Sequence, residues 1–268
     1  RLLAWAEDTV GRRQYVLRFK DLTDGTLLPD VIENVEAAIA WTADSRSVLY
    51  IEKDPETLLG SRVRRHVLGT DPASDVLIYE EPDDAFYLDV GTSKDGRYLF
   101  IHSQSTVASE QRYAEASDDR LDFRVLLPRE RDHEYHADHF DGRWIIRTNW
   151  QAPNFRLMEV PVGEGGTQSR WRDLVAPGGD TFIHGFDVFR DFLAIEERSG
   201  GLRKVRVRPW DGGAEFVLDS DEPAYRMTLG DNEETGSHVL RYTYTSLTTP
   251  FTTWDLDLRT GERTLLKR

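Results

Sequence analysis

The chain has 268 residues, of which 39% are hydrophobic, 11% aromatic and 31% charged, a composition that supplies a core and excludes disorder. Its formal net charge of −14 opposes nucleic acid and anionic membranes and favours cationic ligands such as basic peptides. Without cysteine it has no disulfide or thiolate metal site, which fits a reducing cytoplasm, and no apolar run approaches the ~18 residues of a membrane-spanning helix.

From the start, Leu2 to Ala6 and Tyr15 to Phe19 read as strands ahead of a turn at Thr23-Asp24-Gly25. Turns of the same kind follow at Gly69 to Asp75, Ser117 to Arg120, Gly163 to Gly166, Asp211-Gly212-Gly213 and Gly261, roughly 46 to 49 residues apart, a period typical of repeat architectures. A second ladder interleaves: Ala43-Asp44-Ser45-Arg46, Lys94-Asp95-Gly96-Arg97, Asp141-Gly142-Arg143, Phe189-Arg190-Asp191 and Glu233 to Ser237. Each member stands between two apolar runs, as Ala38 to Trp41 precedes Val48 to Ile51. At the end, Val239 to Ser246, Thr252 to Leu258 and Arg263 to Leu266 are three extended runs, rich in aromatic and β-branched residues. Asp257-Leu258-Arg259-Thr260-Gly261 there repeats the plan of Asp21-Leu22-Thr23-Asp24-Gly25.

Four strands per ~40–50 residues predict an all-β chain, a β-propeller of four-stranded antiparallel blades. A helical solenoid would need 3.6-residue periodicity, and a sandwich gives no reason for fixed spacing. One domain over residues 1–268 is expected, with a partial blade at 1–30 and complete blades at 37–81, 85–128, 133–176, 182–219 and 225–268. The first blade lacks its opening strand, leaving an unpaired edge, so a piece of a larger protein is expected.

The residues resemble the oligopeptidase B (protease II) group of the prolyl oligopeptidase family of serine peptidases. The resemblance is carried by Ala6-Glu7-Asp8 with Arg12-Arg13-Gln14-Tyr15, by Leu68-Gly69-Thr70 with Leu77-Ile78-Tyr79-Glu80-Glu81, and by Asp132-His133-Glu134-Tyr135 with Asp138-His139. Glu196-Glu197-Arg198, Tyr244 to Pro250 and Thr260-Gly261-Glu262 complete it. It implies a seven-bladed propeller that caps an α/β-hydrolase domain and restricts access to it. The implied activity is hydrolysis of short basic peptides after Arg or Lys by a Ser-Asp-His triad, without metal or organic cofactor. No catalytic residue of the family maps onto this chain, and the hydrolase domain is expected beyond Arg268, with the missing strand before Leu2.

Within the chain itself, no Ser occupies the Gly-x-Ser-x-Gly frame of a nucleophile elbow. His133-Glu134-Tyr135-His136 is one residue short of the zincin spacing; His133 and His139 on one strand face would be the metal alternative, local hydrogen bonding the other. Acidic turns such as Asp219 to Glu222 do not fit a calcium loop. Six tryptophans, Trp41, Trp144, Trp150, Trp171, Trp210 and Trp254, are spread along the repeats, which points to packing rather than a ligand platform. Arg12 and Arg13 lie in the link between strands two and three of the first blade. There a guanidinium could latch the propeller to a catalytic partner, or form a surface ion pair worth ~0–1 kcal/mol. A free-standing propeller that binds peptides or assembles other proteins is the alternative function.

Overall fold

The computed structural model describes all 268 residues, in twenty-two strands and two single 3-10 turns, Pro72–Ser74 and Gln168–Arg170. The first sheet runs in chain order through β1 (Leu2–Glu7), β2 (Tyr15–Asp21), β3 (Leu27–Trp41), β4 (Ser47–Lys53), β5 (Gly60–Val67) and β6 (Val76–Glu80). The second holds β7 (Tyr87–Thr92), β8 (Tyr98–Gln104), β9 (Ser109–Glu115) and β10 (Arg124–Leu127). The third holds β11 (Tyr135–Phe140), β12 (Arg143–Thr148), β13 (Arg156–Pro161) and β14 (Arg172–Val175).

A last hydrogen-bonded array contains two further groups of four. These are β15 (Thr181–Val188), β16 (Phe192–Ser199), β17 (Leu202–Pro209) and β18 (Phe216–Leu218), then β19 (Tyr225–Leu229), β20 (Val239–Ser246), β21 (Thr252–Asp257) and β22 (Arg263–Lys267). Only the parallel pairing of Arg203 with Arg226 joins these groups; every other pairing described is antiparallel. The chain divides into two compact units, Arg1–Glu134 with Gly165–Gln168, and Tyr135–Glu164 with Ser169–Arg268. No helix is long and apolar enough to cross a membrane.

The turns explain why the strands recur. Asp21 N–H donates to Thr26 O and Gly25 N–H to Asp21 O, at 2.8 and 2.9 Å, while the Asp21 carboxylate takes Thr23 N–H. Asp257 repeats every one of these bonds with Glu262, Gly261 and Arg259. Gly25 and Gly261 both stand at positive φ, +81° and +75°, a conformation that costs glycine nothing. The other ladder repeats as closely: Asp44 accepts Thr42 Oγ1 and Arg46 N–H, and Asp95 accepts Ser93 Oγ and Arg97 N–H. A carboxylate two residues into the turn thus holds both its shoulders.

Immediately after such turns come Val48 to Ile51, Tyr98 to Ile101, Trp144 to Ile146 and Phe192 to Ile195, buried throughout. Successive strand side chains point to opposite faces, so these second strands need apolar cover on both sides. In the first unit, Leu17, Phe19 and Ile32 meet Val48 and Tyr50, while Leu49, Ile51 and Val63 meet Val90, Leu99 and Ile101. In the second, Ile145 and Leu157 meet Val188, Leu193 and Ile195, and Ala194, Val205 and Val207 meet Met227, Leu240 and Tyr242. Trp144 is fully buried, Trp41, Trp210 and Trp254 pack against these clusters, and Trp171 lies edge-on to Tyr135.

One element differs from its expected form. A link was expected between residues 30 and 37, but β3 continues through it for 15 residues and pairs with β2 at one end and β4 at the other. Asn34, at φ +58°, lets the strand change partners there, and its amide donates to Lys53 O at 2.7 Å.

Polar clamps supplement the apolar contacts. Glu81, just past β6, takes both terminal Arg129 guanidinium nitrogens at 3.0 and 2.9 Å and the Tyr79 hydroxyl at 2.8 Å, and Arg129 lies 3.9 Å from the Phe86 ring centroid. Burial pushes the Glu81 carboxyl pKa up, but these donors outweigh it and the pKa falls below the ordinary glutamate range. The clamp is therefore complete above the unfolded-state pKa and is lost as pH drops through the lower folded value. Glu81→Ala strands a guanidinium beside Phe86 and should cost about 3 kcal/mol in urea unfolding at pH 7, with a smaller loss near pH 3. Ile101→Ala empties a site covered on both faces and should cost about 2–5 kcal/mol. Unchanged urea midpoints would contradict both assignments.

Candidate functional site

Arg12 and Arg13 lie in the loop between β1 and β2, which Asp8 organises. One Asp8 carboxylate oxygen accepts the backbone N–H groups of Val10, Gly11 and Arg12 at 3.1, 2.7 and 3.3 Å, and the other accepts that of Arg13 at 2.7 Å. The Arg13 donor contributes most to holding the Asp8 pKa below the ordinary aspartate range. Arg13 itself stands at φ +56°, and its carbonyl accepts Lys53 Nζ at 2.9 Å. Lys53, whose side chain is buried, also pairs with Glu36 at 2.7 Å. The loop is thus fixed from beneath by a lysine and from within by a carboxylate. Both arginine side chains are exposed, and neither guanidinium has a partner in the chain. What the fold presents here is two cations on an ordered loop.

His133 precedes β11 and its ring lies 3.2 Å from the Gln168 amide; His139, inside β11, sits edge-on to Trp144 and takes Gly142 N–H at 3.2 Å. No three His, Asp or Glu side chains gather in a metal-binding arrangement.

Two polar constellations escaped the sequence reading. His66 is fully buried on β5 with Nδ1 2.8 Å from Asp75 and Nε2 3.0 Å from Asp30, and Tyr50 donates to Asp75 at 2.9 Å. Asp30, His66 and Asp75 look like parts of a relay, but all three are buried, and so is the Tyr50 hydroxyl that adjoins them. They tie the end of the first blade to the second. The spacing 30, 66, 75 carries no signal from which this could have been read.

The other constellation is built on Glu222, which accepts the hydroxyls of Tyr244, Thr248 and Thr249 at 2.8, 2.7 and 2.7 Å. Hydroxyl donors, Ser246 first, hold its carboxyl pKa down at about 2. The run Tyr244 to Pro250 is thereby a carboxylate-organised turn, at one edge of a groove of about 610 Å³ that Tyr242 and Trp254 also line.

Repeated four-stranded antiparallel sheets, apolar on both faces of their second strands, define a β-propeller domain. More particularly, the chain belongs to the family described as "Prolyl oligopeptidase, N-terminal beta-propeller domain", which matches residues 1–268. Among curated relatives, dipeptidyl aminopeptidase BI of Pseudoxanthomonas mexicana is 48% identical across 100% of this chain and 37% of that protein. Protease 2 of Moraxella lacunata is 30% identical across 99% of this chain and 38% of that protein. The structure of oligopeptidase B from Leishmania major superposes with a TM-score of 0.90 at 26% identity, covering 99% of this chain and 39% of that one. The chain therefore spans less than two fifths of the length of these relatives.

The Asp8 loop yields a direct test. With its folded pKa lowered, Asp8 orders the loop fully above the unfolded-state value and releases it only as pH falls through the folded one. At pH 7.5, Asp8→Ala should raise the rate of trypsin cleavage after Arg12 or Arg13 about tenfold, because local opening governs cleavage. Equal rates would show that the carboxylate does not order the loop.

Proposed function

We propose that this chain is the substrate-gating propeller of a cytoplasmic serine oligopeptidase that hydrolyses short peptides after Arg or Lys. Its partner is an α/β-hydrolase domain of the same protein. The observation that carries the reading is the family match over every residue, supported by relatives that are peptidases by name. The acidic balance, −14, attracts cationic peptides toward the catalytic domain. The absence of cysteine fits a reducing compartment. In this reading residues 1–268 supply shape and charge, and the serine nucleophile comes from the hydrolase domain.

The name of the 48% identical relative favours a second specificity, release of dipeptides from a free N-terminus. The two separate on one pair of reporters, each with Arg before the scissile bond, one blocked at its N-terminus and one free. An oligopeptidase B-like enzyme cuts both, a dipeptidyl aminopeptidase only the free one, and a serine-directed inhibitor stops either. If the full-length protein cuts neither, the peptidase reading fails and a free-standing peptide-binding or assembly propeller takes its place. Adding the separately expressed hydrolase domain then decides, since indifference to it supports the scaffold.

Arg12 and Arg13 are proposed as the interdomain latch, on the ground that both guanidinium groups stand unpaired on a loop ordered by Asp8 and Lys53. Arg13→Ala in the full-length enzyme should lower kcat/KM about threefold, the scale of a surface ion pair, and expand the particle in small-angle scattering. Unchanged turnover together with unchanged scattering would remove the latch.

A further inference from the structure

In a chain with 14 more negative than positive charges, the second unit carries a row of arginines on one sheet face. Arg198 on β16 pairs with Arg203 on β17, and Arg203 pairs with Arg226 on β19. Residues paired in register point to the same side of a sheet, about 5 Å apart laterally. Like charges set opposite one another destabilise a sheet, so such a row is a cost unless something negative lies across it. The only carboxylate paired with the row is Glu196, 3.1 Å from Arg203. The guanidinium groups of Arg198 and Arg226 form no ion pair or hydrogen bond, and both residues are exposed.

The side chain beneath the row adds a second observation. β15 and β16 slip register between Ile183 and Gly185, leaving His184 as the extra residue of a β-bulge. Bulges re-aim one side chain and occur often beside functional sites. Here the imidazole turns toward the arginines: Arg203 donates to Nδ1 at 2.7 Å, which places the ring proton on Nε2, and Nε2 has no partner. Burial, then Arg203, Arg198, Arg147 and Arg226, push the His184 pKa down to about 4, so the ring is neutral at physiological pH. Arg147 is anchored separately, giving Nε to Ile183 O at 2.8 Å with its guanidinium 3.5 Å from the Phe155 centroid. Four cations therefore lie near His184, whose Nε2–H is buried without a partner, and a single carboxylate pairs with the row.

We propose that Arg198, Arg203 and Arg226 form a binding site for the terminal carboxylate of a short peptide. The proposal rests on the peptidase reading above for its choice of ligand, and on the donor set for its chemistry. A guanidinium fork matches a carboxylate with two parallel bonds, and the free terminus of a short peptide is the carboxylate that every substrate of a peptidase of short peptides carries. The site would add selection for chain length to the selection for basic residues.

The test is calorimetric binding to the full-length protein, using acetyl-Ala-Ala as the free acid and as its amide, neither of which needs to be cleaved. The native protein should bind the acid about tenfold more tightly, the scale of a hydrogen-bonded ionic contact. Arg198→Gln with Arg226→Gln should equalise the two, whereas Arg226→Lys, which keeps the charge, should retain part of the preference. Removing exposed like charges should leave the thermal midpoint unchanged or higher, so misfolding is a separate and visible outcome. Equal binding of acid and amide by the native protein, or an undiminished preference in a folded double variant, overturns the site. A protein that discriminates the two ligands but cuts no peptide keeps the site and loses the peptidase reading, while one that cuts peptides without discriminating loses only the site.

Discussion

A sheet whose central strands are apolar on both faces cannot stand alone in water, and most of this architecture follows from that. Leu49, Ile51, Leu99, Ile101, Ile145, Leu193 and Ile195 are all fully buried, although their neighbours along each strand are buried toward the opposite side. At roughly 1.5–3 kcal/mol per large side chain, covering one face only would forfeit much of the gain. Each four-stranded group must therefore be flanked, and the clusters within each unit join one group to the next. The charged clamps are secondary to this requirement. Glu81 with Arg129, and Asp30 and Asp75 with His66, set the edges at which neighbouring sheets meet.

This hierarchy accounts for what could be read in the sequence. Turns such as Asp21 to Gly25 and Asp257 to Gly261 close within five residues, so their chemistry is local and appears in the spacing of Asp and Gly. The double-sided strands announce themselves as unbroken apolar runs. Strand existence, the repeat and the all-β class were legible for those reasons. The continuity of β3 was not, because it depends on Asn34 adopting a left-handed conformation that Lys53, 19 residues away, helps to hold. His66 is bound to a carboxylate 36 residues distant, and nothing local marks it.

The candidate residues divide along the same line. Arg12 and Arg13 could be singled out because a basic pair in an inter-strand link is visible at a glance, and the structure adds the buried lysine and the Asp8 carboxylate that order their loop. The arginine row is invisible in the sequence. Arg198, Arg203 and Arg226 become neighbours only through strand register, and His184 is aimed at them only because β15 carries one residue more than β16 can match. Both features display cations on an otherwise acidic molecule.

The strand that changes partners at Asn34 bears on how such a domain can be rearranged. Where sheets are joined by irregular links, as between Glu80 and Tyr87 or between Leu127 and Tyr135, new termini or inserted modules interrupt few backbone bonds. A cut between Leu28 and Ala38 would instead sever the strand that pairs with β2 at one end and β4 at the other, and so joins the partial first blade to the blade after it. New termini therefore suit the irregular links, whereas the partial first blade and the blade after it share one continuous strand and cannot be parted without breaking backbone pairing.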